Sequence, residues 1–270
     1  MSTRAVCAAL CLLAATPARA DSDDVNPPRR DPAVTANDGL FLPQTTAARI
    51  GDQRVSAMVL GGYDSAVGGP ALSAAVEGAL YRRVAIRVGV DSQGIGGAGT
   101  AGVFAGFGDR VSYSAGAKVG ILRQEQHGID LAVMATYRSR GLTQHTGEIE
   151  IGVAASRRWN RFGLYANLAY GQGFDVDTRD AAVRVAALYN LGERWQLGLD
   201  ARARFDIGST VSDASRYAPE VDFDLLAGPT ASVALGPVIL LAQAGARALV
   251  FEQRDPVIGI AALGGLGTSF

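Results

Sequence analysis

From Val55 to its last residue, this chain counts in twos. Across 195–207, Trp195, Leu197, Leu199, Ala201, Ala203, Phe205 and Ile207 share one parity, while Gln196, Gly198, Asp200, Arg202, Arg204 and Asp206 hold the other. A period of two is the signature of an extended strand with one apolar and one polar face. The pattern recurs: Ile129, Leu131, Val133, Ala135 and Tyr137 oppose Asp130, Met134, Thr136 and Arg138. Ile149, Ile151, Val153 and Ala155 oppose Glu148, Glu150 and Ser156, and Val221, Phe223, Leu225 and Ala227 oppose Asp222 and Asp224. The chain is therefore expected to be all-β.

Twelve strands are read at roughly 55–63, 71–81, 84–91, 111–123, 128–138, 147–158, 162–173, 180–190, 195–207, 221–235, 238–251 and 257–270. Most are close to the ~9–11 residues that a tilted strand needs to cross hydrocarbon. The connections alternate in length, which is independent evidence. Arg82-Arg83, Gln124–Gly128, Asn160-Arg161, Gly192-Glu193 and Gly236-Pro237 are tight, whereas Asp64–Pro70, Ser92–Arg110, Ser139–Thr146, Phe174–Arg179 and Gly208–Glu220 are mostly longer. Gly99–Gly108 could be a folded loop or could pair as a strand, so fourteen strands is the alternative count.

Composition narrows the class further. The 270 residues are 48% hydrophobic and 19% charged, with 34 glycines. No charge-free apolar run of about 18 residues lies beyond the N-terminus, which argues against a helical membrane protein. The 25 basic side chains, of which only Lys118 is a lysine, nearly balance the 26 acidic ones. A net charge of −1 leaves no basic surface for nucleic acid.

Residues 1–20 have the three parts of a cleavable secretory signal: Arg4, the apolar stretch Ala5–Ala15, and a Pro17-Ala18-Arg19-Ala20 exit with Ala18 and Ala20 at the cleavage positions. Both cysteines, Cys7 and Cys11, fall inside this segment, so the expected mature chain can form no disulfide and no thiolate metal site. Cys11 follows Leu10 rather than a small residue and is not placed for lipid attachment. Residues 21–53 differ in composition. Asp21, Asp23, Asp24, Pro27, Pro28, Arg29, Arg30, Asp31 and Pro32 make a polar, proline-rich stretch without apolar periodicity, read as a largely disordered tail. A short helical turn around Gln44–Arg49 is possible, and a plug or a cell-wall contact is the functional alternative.

Periodicity alone does not say whether the apolar stripe meets a core or a lipid. On the apolar parity the charges are Arg123 and Arg157 at turn-proximal ends and Glu252 at a loop end. A closed barrel of about twelve strands is also too wide to fill with one layer of mostly Ala, Gly and Val, so the polar parity is expected to line a lumen. Trp159, Phe162, Tyr189, Trp195 and Phe270 fall near the short-turn ends, and Tyr63, Tyr137, Tyr170, Phe205 and Phe223 near the loop ends. Two aromatic levels are what interfacial girdles require.

With its signal peptide, alternating strands and terminal aromatic, the chain resembles a bacterial outer-membrane β-barrel protein. The last strand, with Ile258, Ile260, Ala262, Leu266, Thr268 and Phe270 on one parity, resembles the insertion signal read by the barrel-assembly machinery, departing from it at Gly264. The resemblance covers about 220 residues and is architectural. It implies a transmembrane antiparallel β-barrel over 54–270 in the outer membrane, a periplasmic tail over 21–53, lipid as surroundings, and periplasmic chaperones and the assembly machinery as partners in biogenesis. The barrel is expected to be monomeric.

The inward parity carries Glu77, Arg83, Arg87, Asp91, Lys118, Asp130, Arg138, Glu148, Glu150, Arg158, Arg184, Asp200, Arg202, Arg204, Asp206, Asp222, Asp224 and Arg247, nine acids and nine bases. A pore tuned for one ion sign would show an excess. Equal numbers suit a narrow, weakly selective channel for ions or small solutes. They suit equally a closed structural or surface-interaction barrel held by cross-lumen ion pairs. A lipid acyl hydrolase or transferase is the remote alternative, since some barrels carry such chemistry on Ser and His at the outer rim. His127 sits in a periplasmic turn, the wrong end, and His145 is a loop histidine near Ser139, Thr143, Thr146 and Glu148. No enzyme is expected. Gly94-Ile95-Gly96-Gly97 lacks the lysine and the strand–helix setting of a phosphate loop. Asp175-Val176-Asp177-Thr178-Arg179-Asp180 lacks the spacing and glycine of a calcium loop and reads as an exposed acidic loop. No metal or cofactor is expected.

Overall fold

Strands with one apolar and one polar face need two environments, and a closed barrel supplies both while leaving no sheet edge. The structure, a computed structural model, describes residues 43–50, 55–81, 83–92, 111–139, 147–174, 179–207, 221–251 and 254–269. Its strands are β1 (Val55–Asp64), β2 (Gly69–Tyr81), β3 (Val84–Ser92), β4 (Val111–Leu122), β5 (Asp130–Ser139), β6 (Gly147–Trp159), β7 (Phe162–Gly173), β8 (Arg179–Asn190), β9 (Trp195–Asp206), β10 (Val221–Leu235), β11 (Val238–Phe251) and β12 (Arg254–Ser269). Each pairs antiparallel with its sequence neighbours, and β1 closes the ring on β12 from Ser56↔Ser269 to Asp64↔Ala261. The count is twelve, not fourteen: β3 pairs directly with β4, from Val84↔Val119 to Ser92↔Val111. Gly99–Gly108 itself lies outside the described residues.

Tight turns hold the register at one end. Asn160, at φ 50, turns β6 into β7 with Trp159 opposite Phe162. Gly236, at φ 66, precedes Pro237 and closes β10 onto β11 with Leu235 opposite Val238. Both supply the positive φ that two-residue hairpins demand. The Gln124–Gly128 link is a single helical turn, α1 (Gln124–His127), ended by Gly128 at φ 74. Gln124 fastens it to the wall: its backbone N–H donates to Asp130 Oδ1 at 2.8 Å, and its Oε1 accepts the Arg158 N–H at 2.8 Å.

β10 contains Pro229, which has no N–H for a ladder. It stands opposite Leu199 on the β9 side, while toward β11 the pairing runs to Ala227↔Ala246 and resumes at Thr230↔Gln243. At the adjacent Gly228, an added Cβ would run into the Ala244–Gly245 backbone, so glycine allows the strands to stay close.

The outer wall is apolar. Leu199 is 62% exposed, Ile151 57%, Ile260 66% and Ile258 79%. A soluble monomer rarely exposes a contiguous apolar patch of more than a few hundred Å², so a belt of this kind is a lipid-facing surface. Aromatic rings cluster at its two levels. Phe162 packs against Trp159 and Tyr189 at 6.4 and 4.8 Å at the short-turn end; Tyr137 packs against Tyr113 and Phe174, both at 6.2 Å, and Phe205 against Phe223 at 5.1 Å, at the loop end. Arg157, on the apolar parity, lies over the Trp159 ring at 5.8 Å, which keeps its stem in the apolar belt and its charge at the rim.

The inner wall departs from the expectation of a uniformly polar lining. On β3–β9 the inward parity is largely polar, but Met58, Leu60, Leu226, Ala234, Ile239, Leu241, Leu249 and Leu263 are buried inside β1 and β10–β12. Met58, Leu60, Ala234, Ile239 and Leu241 form one cluster. These strands carry apolar side chains on both faces, as in Ile239-Leu240-Leu241, where parity cannot be read from composition.

Candidate functional site

The barrel is filled in two layers. In the loop half, β1, β9, β10 and β11 bring Asp64, Arg202, Asp224 and Arg247 together, all at most 2% exposed. Asp224 accepts from Arg202 Nη2 at 2.7 Å and from Arg247 Nε and Nη2 at 3.1 Å each, and Arg247 also bonds Asp64. A second network spans β5, β6, β8 and β9. Arg138 and Glu148, cross-strand partners, meet at 2.8 Å, and Arg184 grips Glu150 with two bonds of 3.1 and 2.8 Å. Arg204 reaches Glu148 at 3.2 Å and Asp180 beside it. Register places Arg184 directly opposite Arg202, two like charges. Each pairs with a carboxylate: Arg202 with Asp224, its diagonal neighbour on β10, and Arg184 with Glu150, two strands away on β6.

In the short-turn half, the lumen holds the chain's own residues 43–50. Gln44, Thr45, Ala47 and Ala48 are at most 5% exposed. The Gln44 N–H and the Thr45 hydroxyl donate to the two oxygens of Asp200 at 2.8 and 2.6 Å, and Gln44 Nε2 donates to Gln243 Oε1 at 3.1 Å. Asn167 reads the backbone of Thr46 both ways, accepting its N–H and donating to its carbonyl at 2.8 Å each. Lys118 Nζ bonds Glu77 at 2.7 Å and the Ala47 carbonyl at 3.3 Å. Ala48 packs on Ala132 and Ala154, and Ala47 on Tyr165, Ala186 and Leu188. Arg49 meets Glu125 of α1 at 3.7 Å at the rim. This part of the expected tail is thus in the lumen rather than in solvent. Backbone groups of Gln44, Thr46 and Ala47 find partners there, and small side chains let it fit. The rest of 1–42 and residues 51–54 lie outside the described residues, with Ala18 and Ala20 among them.

Residues 43–50 form a strap that leans on β7, β9 and β11, leaving a cavity of about 100 Å³ toward β2–β5. Arg87, Lys118, Arg138 and Arg184 line it with Glu77, Asp91 and Glu150. Ser73 holds Asp91 through its hydroxyl at 2.5 Å. Glu77 stands opposite Arg87 in register but pairs with Lys118, and among the described residues Arg87 has no ion-pair or hydrogen-bond partner.

The remaining sequence candidates fall elsewhere. Arg83 is exposed in the β2–β3 turn, where it lines a small cavity with Ile50, Gly120 and Asp130. Asp130 is buried near the rim, beneath α1, and Arg158 is half-buried on β6. Asp206 and Asp222 are half-buried at the loop ends of β9 and β10. Phe270 and His145 lie outside the described residues. Ser139 is buried, its hydroxyl accepting the Tyr113 N–H at 2.9 Å, and His127 is exposed on α1. Five lumen groups were not legible as such. Asp64 and Asp180 read as loop acids, although Asp180 shares parity with Arg184. Asn167, Gln243 and Thr45 carry no charge to draw attention.

No protein-family model matches the chain, and no curated protein matches it in sequence. Its structure is similar to the NanC porin, with a TM-score of 0.58 and 8% identity over 79% of this chain and 100% of NanC. It is also similar to the COG4313 outer membrane channel of Pseudomonas putida F1, with a TM-score of 0.53 and 9% identity over 88% of this chain and 100% of that one. The fold is that of a bacterial outer-membrane β-barrel. A third likeness, to the KdgM porin in complex with disordered oligogalacturonate, has a TM-score of 0.50 and 10% identity over 80% of this chain and 99% of that one. At such identities the outer-membrane barrel likeness carries architecture and not a solute.

Proposed function

We propose that this outer-membrane barrel is a narrow, weakly selective channel for ions or small solutes, reached by export with a cleavable signal peptide and working as a monomer in lipid. The observation that carries the reading is the charged cavity between the strap and β2–β5, where four cations face three anions. Near balance of the two signs suits weak selectivity. Barrels of the same architecture named as porins and channels support it. The second reading, a closed barrel with a structural or surface-binding role, is favoured by the ion-pair layer across the loop half.

Single-channel conductance of the refolded chain in a planar bilayer separates the two, after heat-shifted gel mobility has shown a folded barrel. Small reproducible steps are expected. Arg87→Gln removes a cavity cation that has no partner among the described residues and should shift reversal potentials toward cation preference while leaving mobility unchanged. Silence from an inserted barrel would overturn the channel reading.

A further inference from the structure

The lumen contains more than a wall. Asn167, Asp200 and Gln243 come from alternate strands, β7, β9 and β11, and converge on three consecutive residues, Gln44, Thr45 and Thr46. Asp200 is wholly buried, with both carboxylate oxygens committed to the strap. Asn167 satisfies a backbone N–H and a backbone C=O of the same residue, as a neighbouring strand would. Below this seat, Ala47 and Ala48 fit among small wall residues, and Lys118 fastens the Ala47 carbonyl from the opposite side. A segment packed merely because space was free would not have the Gln44 N–H, the Thr45 hydroxyl, both backbone groups of Thr46 and the Ala47 carbonyl each met by a wall side chain.

The attachment is also of a releasable kind. The backbone of Gln44, Thr46 and Ala47 bonds to wall side chains, and no residue of 43–50 joins the strand ladder that closes the ring from β1 to β12. Withdrawal would leave every strand pairing intact and replace the strap's hydrogen bonds with water at polar wall groups, an exchange of small net cost. We propose that the Asn167–Asp200–Gln243 seat is a binding site for an extended peptide segment, and that residues 43–50 are its resident ligand, a removable plug that sets whether the lumen conducts. This rests on the channel reading and names how that channel is regulated.

The test uses the full chain, whose expected mature form has no native cysteine. Ala48→Cys is combined with Ala132→Cys or, separately, with Ala154→Cys, since these three alanines pack in one cluster. Side chains in contact have the Cβ spacing a disulfide needs. At least one pair should cross-link on oxidation. In the bilayer the oxidised barrel should stay at its lowest level, and reduction should release openings severalfold larger. Asp200→Ala, which loosens the seat without cross-linking, should raise the frequency of those openings. Failure of both pairs to cross-link in a heat-modifiable barrel would overturn the seat. Equal conductance in oxidised and reduced barrels would overturn the plug and leave the channel standing. Silence in both states and in Asp200→Ala would overturn channel and plug together.

Discussion

Asp224→Ala is expected to cost about 3–5 kcal/mol in urea unfolding from phospholipid vesicles, the usual loss when one partner of a buried ion pair is removed. Asp224 accepts from Arg202 and from two nitrogens of Arg247, and the three side chains are at most 3% exposed. Its loss strands positive charge in a site that water hardly reaches. Asp224→Asn, which keeps an acceptor oxygen, should fall between wild type and the alanine variant. Glu125→Ala is the contrast: its partner Arg49 stands 3.7 Å away and Glu125 is 60% exposed, so a change within about 1 kcal/mol is expected. Equal, small losses for Asp224→Ala and Glu125→Ala would mean that water solvates the loop half freely. The ion-pair layer would then be open to water.

A comparable loss is expected on the other face. Leu199 lies near the middle of β9 and Val133 near the middle of β5, and both point outward with 62% and 41% exposure. Arginine at either position should cost about 2–4 kcal/mol at the bilayer midplane, or block insertion outright. Leu199→Met, which keeps an apolar side chain of similar volume, should insert normally. The reading is again by urea unfolding from vesicles, with heat-shifted mobility scoring insertion. Normal insertion and stability of both arginine variants would reverse the two faces, placing the apolar belt against something other than lipid.

The two experiments probe opposite faces of one barrel wall. In β9, Leu199 belongs to the belt and Arg202 to the ion-pair layer, three residues apart. Alternation of this strength is written locally, so the strands and their outward faces could be read before any coordinate was known. The tight turns could be read as well, because Asn160 and Gly236 advertise the positive φ they adopt. Where both parities are apolar, as in Ile239-Leu240-Leu241, the signal disappears, and the apolar inner wall of β1 and β10–β12 emerged only from the closed ring.

The lumen shows the same division. That charged residues share a parity is a property of the sequence; which of them meet is not. Glu77 faces Arg87 in register and yet chooses Lys118 two strands round the ring. Arg247 reaches across from β11 to Asp64 on β1, 183 residues away in the chain, because closure makes those walls near neighbours. The strap is the clearest case. Residues 43–50 carry no periodicity, and their Gln-Thr-Thr-Ala-Ala looks like any polar linker. Its place depends on Asn167, Asp200 and Gln243, which lie 121 to 199 residues further on and converge only when the barrel has closed. Sequence determined the alternating strands and, where one parity is polar, the face each presents to lipid, because those follow from neighbours two residues apart. Tertiary structure decided what fills the barrel, because a closed ring alone brings distant strands within hydrogen-bonding reach of one another and of the chain's own beginning.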